Sequence, residues 1–229
     1  MIPIRDDAPR SSTPYVNYFL IALNVLVFLF ELTLAPRARV GFETQFGFVP
    51  SRVDTWLAGV APADYAIVPV FTAMFMHGSW WHLLGNMWFL FIFGDNVEDH
   101  LGHFRYLITY LLCGLGATLT HFVFNLHSQV PSLGASGAIA GVLGAYFLLF
   151  PAARVLTWFG FFILWLPAWL VLGYWFVIQF LSGAATSITY ARQTGGGIAF
   201  WAHVGGFITG MILIKLMPAR KAYYSFGDS

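Results

Sequence analysis

Six apolar runs of about the length needed to cross a bilayer follow one another between Tyr15 and Met217, and they leave the chain few folds to choose from. Only 9% of the residues are charged and mean hydropathy is +0.72. A soluble domain carries about 25% charged residues, so the chain reads as a polytopic membrane protein. Its 229 residues suit one domain, with a short N-terminal tail over 1–14 and a basic C-terminal tail over 218–229. A formal net charge of +1 gives no electrostatic reason to expect a nucleic acid partner. The single cysteine, Cys113, lies in an apolar run and cannot form an intrachain disulfide.

Span 1 covers Tyr15 to Leu34, and no small-x-small site marks it as a cleaved signal. The loop from Ala35 to Ser79 mixes charges with short apolar patches, which predicts interfacial structure lying on the bilayer. Span 2 runs from Trp80 to Phe93, with Ser79 as N-cap and Gly94-Asp95-Asn96 closing it. Span 3 runs from Arg105 to Phe124, and span 4 from Ser136 to near Pro151. Residues 155–165 read as an interfacial lead-in to span 5, Leu166 to Leu181. A loop from Ser182 to Gly197 precedes span 6, Ala199 to Met217, and is a candidate lid. With both termini on one side, seven Lys and Arg fall on that side and four opposite, which favours cytoplasmic termini by the positive-inside rule. The compact chain suggests a bacterial cytoplasmic membrane.

Polar groups inside a bilayer are expensive and mark functional positions. Span 4 opens on Gly134-Ala135-Ser136-Gly137, where the Ser136 hydroxyl is either a helix cap or a nucleophile. His82 and Asn86 are four apart and share a face of span 2; His203 lies near the start of span 6. Alternating topology brings Ser136, His203, His82 and Asn86 to one depth. Gly137 and Gly141 on span 4, and Gly206 and Gly210 on span 6, are small-xxx-small pairs that let helix backbones approach closely. Such packing puts His203 within reach of Ser136 as general base. The backbone N–H of Ser136, with His82 and Asn86, can then hold an oxyanion. Each residue alone has a plainer role: Ser136 as cap, His203, His82 and Asn86 as interhelical hydrogen-bond partners. His77, His100, His103, His121 and His127 read as loop or interfacial residues.

Gly134-Ala135-Ser136-Gly137 resembles the GxSG of the rhomboid intramembrane serine proteases. His77, His82 and Asn86 look like that family's HxxxxHxxxN, and the segment from Ala202 to Gly210 like its AHxxGxxxG. Glu98 also matches a family position. The resemblance covers residues 70 to 212. It implies an all-α, six-transmembrane-helix bundle with a long interfacial first loop, and a Ser136–His203 dyad without an acidic third member. Asn86 and His82 are implied around the oxyanion. The implied reaction is peptide-bond hydrolysis in or near transmembrane segments of other proteins, with no cofactor and no metal, in a cavity open to the outer side. The chain departs from the family in lacking a Trp-Arg pair in its first loop and in carrying Ala73 where some relatives have histidine. Two readings compete: a catalytically inactive rhomboid-like protein that binds transmembrane clients, and a metal site or transporter using His77, His82 and His203.

Overall fold

The computed structural model describes residues 1–190 and 199–220. Strand β1 (Ile2–Asp6) leads into helix α1 (Tyr15–Thr33), and three short helices follow: α2 (Pro36–Phe46), α3 (Ser51–Leu57) and α4 (Asp64–Thr72). A single 3-10 turn, Ala73–Phe75, precedes α5 (Trp80–Leu101), which runs into α6 (His103–Phe124) across Gly102 at φ +79°. Then come α7 (Ser136–Leu149), β2 (Arg154–Phe159), β3 (Phe162–Pro167), α8 (Ala168–Tyr190) and α9 (Phe200–Leu216). The protein is a mostly helical, polytopic membrane protein, as the apolar runs predict. Among the described residues α1, α6 and α8 are long and apolar enough to cross a membrane by themselves.

Helix α7 is the axis of the bundle. Gly137 to Tyr146 are all buried, as expected of a helix that is apolar on every side. It packs between α5, α6 and α9. Backbones touch where α7 crosses α9: a Cβ added to Gly206 would overlap the Gly137 carbonyl, and one added to Gly210 would overlap that of Gly141. The two glycine pairs therefore do what their spacing predicts. The exterior is apolar, with Phe19, Leu26 and Phe30 of α1 exposed, while Asn17, Asn24 and Glu31 of the same helix are fully buried. Polar groups face inward and find partners there. Asn17 Nδ2 donates to the Leu90 carbonyl at 3.0 Å, and Tyr106 Oη donates to Asn17 Oδ1 at 2.8 Å.

Several boundaries differ from the sequence reading. Helix α5 does not close at Gly94-Asp95-Asn96 but continues to Leu101, because the N-terminal tail supplies partners for those polar groups. Asp95 pairs with Arg10 at 3.0 Å, and Asn96 Nδ2 donates to the carbonyls of Ala8 and Pro9. Glu98, fully buried, accepts the backbone N–H groups of Val16 and Asn17 at 3.0 and 2.7 Å. It thereby caps α1, whose own N-cap position is Pro14 and offers no side-chain acceptor. Residues 155–165 are not a featureless lead-in: β2 and β3 form an antiparallel hairpin, and β1 pairs with β2 from Ile2↔Trp158 to Asp6↔Val155. A small three-stranded sheet thus stands beside the expected all-α bundle. Helix α8 continues through Ser182 to Tyr190, so the expected loop over 182–197 is helical in its first half, and residues 191–197 lie outside the described residues.

The first loop is folded by its own contacts. Arg52 donates to the Gln45 and Thr44 carbonyls at 2.9 and 2.6 Å, satisfying the end of α2, and its guanidinium lies 4.3 Å from the Tyr65 ring centroid. Phe48 and Ser132 exchange backbone hydrogen bonds, and Gly134 N–H donates to the Ala73 carbonyl at 2.9 Å. These bonds tie the loop to the segment that presents Ser136.

Candidate active site

Ala135 is the N-cap of α7, and no side chain caps that helix. The Ser136 hydroxyl is therefore not spent as a cap. Its Oγ lies 2.8 Å from His203 Nε2. His203, on the first turn of α9, is 8% exposed, held there by the backbone contact between α7 and α9. Its other nitrogen, Nδ1, is 2.7 Å from Gln179 Oε1 on α8, and the Trp175 ring lies 5.8 Å away at 37°.

Gly134 adopts φ +128°, which favours glycine. A Cβ there would sit 2.7 Å from His82 Cε1 and 2.8 Å from His82 Nε2, and 3.6 Å from Ser136 Oγ. The absent side chain is what lets the His82 ring lie against the loop beside the serine. Ser79 accepts the His82 backbone N–H at 3.2 Å, so the expected N-cap of α5 is in place. Asn86, a turn further along, is bound at 2.9 Å between Nδ2 and His77 Nε2. The first-turn N–H groups of α7 point away from the helix with the positive end of its dipole. A small cavity lined by Phe48, Ala73, His121 and Ala202 opens on Ser136.

The sequence predicts a loop or interfacial position for His77. It does lie in a loop, but fully buried, with its ring 5.0 Å from that of His82. Its backbone N–H donates to Glu31 Oε2 at 3.4 Å, and Arg39 reaches the carbonyls of His77 and Gly78. Burial, reinforced by the neighbouring His82, pushes the His77 pKa down to about 3, so the ring is neutral and accepts from Asn86. Gln179 was missed altogether. The one signal available was a lone amide side chain within an otherwise apolar span. With His203 Nε2 on Ser136, His203 Nδ1 on Gln179 and His77 Nε2 on Asn86, these histidines are engaged with other side chains rather than aimed at a shared metal position.

A half-buried serine and a buried histidine are thus in hydrogen-bond contact at the end of a helix inside a membrane bundle. Residues 65–220 match the Rhomboid domain. The chain belongs to the rhomboid family. It is 32% identical to the Rhomboid-like protein 11, chloroplastic, of Arabidopsis thaliana over 161 residues, 68% of this chain and 53% of that one. It is 30% identical to the Rhomboid protein 1, mitochondrial, of Saccharomyces cerevisiae over 149 residues, 63% of this chain and 40% of that one. Over 202 residues it is 28% identical to the human Presenilin-associated rhomboid-like protein, mitochondrial, covering 84% of this chain and 45% of that one. The chain spans about half the length of the curated relatives it matches. These relatives are chloroplastic or mitochondrial, which overturns the expectation of a bacterial cytoplasmic membrane. Compactness is a property of the fold and carries no address, and a Lys/Arg surplus orients helices without naming the membrane.

Proposed function

We propose that the protein is an intramembrane serine endopeptidase acting in or near transmembrane segments of other membrane proteins. The observation that carries this is the 2.8 Å contact between Ser136 Oγ and His203 Nε2; membership of the rhomboid family supports it. Neutral His203 takes the Ser136 proton as Oγ attacks the scissile carbonyl carbon. The carbonyl oxygen becomes an oxyanion facing the Ser136 backbone N–H at the positive end of α7, with His82 and Asn86 as side-chain donors. Collapse of the tetrahedral intermediate breaks the C–N bond, and the imidazolium gives its proton to the leaving amine. Water, deprotonated by the same histidine, then hydrolyses the acyl-serine and restores Oγ–H. The proton of Ser136 leaves with the amine and one from water replaces it, so the pair is restored and the cycle draws on no cofactor.

Fluorophosphonate labelling of detergent-purified protein tests the reading. Wild type is expected to label at Ser136, and Ser136→Ala and His203→Ala to lose labelling with thermal midpoints intact. A folded wild type that never labels moves the client-binding role to the front.

A further inference from the structure

One polar side chain beside the pair has no part in the reaction just described. Gln179 lies on α8, one turn beyond Trp175 and on the same face, in a stretch whose other residues from Ala168 to Leu181 are apolar or aromatic. Its Oε1 is 2.7 Å from His203 Nδ1. A carbonyl oxygen only accepts, so the imidazole nitrogen facing it carries the proton. The lone pair of the neutral ring is then on Nε2, the atom in contact with Ser136 Oγ. That is the tautomer a general base requires. Trp175 closes a second side of the ring.

We infer that Gln179 is a positioning residue that fixes the tautomer and ring plane of His203, so that α7, α9 and α8 supply a line Ser136–His203–Gln179. This rests on the serine-protease reading. Among the described residues the other titratable groups acting on His203 are His82 from α5 and His121 from α6, and the sequences of α7 and α8 hold no aspartate or glutamate. The amide is thus a neutral counterpart of the carboxylate that orients histidine in soluble serine proteases. It holds the ring by a dipole and leaves the proton affinity of the imidazole unassisted by a negative charge.

The test compares wild type, Gln179→Glu and Gln179→Met, purified in detergent. The second-order rate of fluorophosphonate labelling is measured from pH 5 to 9, with a thermal midpoint for each protein. Methionine keeps the volume and removes the acceptor; labelling at pH 7.5 is expected to slow about tenfold or more. Glutamate keeps the acceptor and adds charge; the acid limb of the profile is expected to move up by about one pH unit or more. A glutamine that merely packs would leave that limb in place. Labelling of Gln179→Met at the wild-type rate, or a Gln179→Glu limb that coincides with wild type, overturns the assignment while the protease reading stands. Wild type that does not label overturns both.

Discussion

At the scale of single residues, the site is held by contacts that leave little freedom to its histidines. His77 is the clearest case, since its ring is buried, neutral and bonded to Asn86. Its folded-state pKa of about 3 lies below the ordinary 6.5, so the unfolded chain takes up the proton first as pH falls. Its stabilising contribution is therefore complete above pH 6.5 and is lost progressively between pH 6.5 and about 3. Thermal midpoints in detergent are expected to fall across that window. His77→Gln, which can still accept from Asn86, should show a shallower slope, and an unchanged slope would assign the acid sensitivity elsewhere. Ser136 and His203 were legible in the sequence because span counting puts them at one depth. Gln179 was not, because nothing near it in sequence announces which face of α8 meets α9.

At the scale of elements, the contact between α7 and α9 is where a single methyl group matters most. Gly210→Ala places a Cβ against the Gly141 backbone, which cannot yield as a side chain would. Overpacking of this kind costs about 1–3 kcal/mol. Gly85 on α5 has nothing within 4 Å of its added Cβ. Gly85→Ala is expected to leave stability unchanged or raise it by up to about 1 kcal/mol. Denaturation midpoints of the two variants measured side by side give the contrast, and equal effects would mean that the helices are not in backbone contact. The glycine spacing made this packing legible. The sheet was not: β1 meets β2 some 150 residues later in the chain, and no local pattern in Ile2–Asp6 reveals so distant a partner. The run of α5 past Asp95 was hidden for the same reason, since Arg10 and the carbonyls of Ala8 and Pro9 come from another part of the chain.

At the scale of the whole molecule, the two ends of the bundle are unlike. The end away from Ser136 carries the sheet and the ion pairs that tie the N-terminal tail to it and to α5, Arg154 with Asp7 and Arg10 with Asp95. The Ser136 end is covered by α2, α3 and α4, whose apolar side chains such as Leu57, Val68 and Phe71 are exposed. This polarity was legible as a bias in Lys and Arg; the membrane it belongs to was not.

Helix α7 has only 14 residues. At 1.5 Å per residue it rises about 21 Å, roughly 9 Å less than the hydrocarbon it stands in. Its far end leads within a few residues to Arg154 and the sheet, so the shortfall falls on the Ser136 side. The helix therefore works as a ruler that sets how far the serine lies from bulk water, and the lipid decides what that ruler measures. In bilayers of shorter acyl chains the gap narrows, and fluorophosphonate labelling of reconstituted protein is expected to quicken as chain length falls, with a rate indifferent to thickness counting against it. The depth at which a bond is cut would then be a property shared between protein and membrane, with one half of it written outside the sequence.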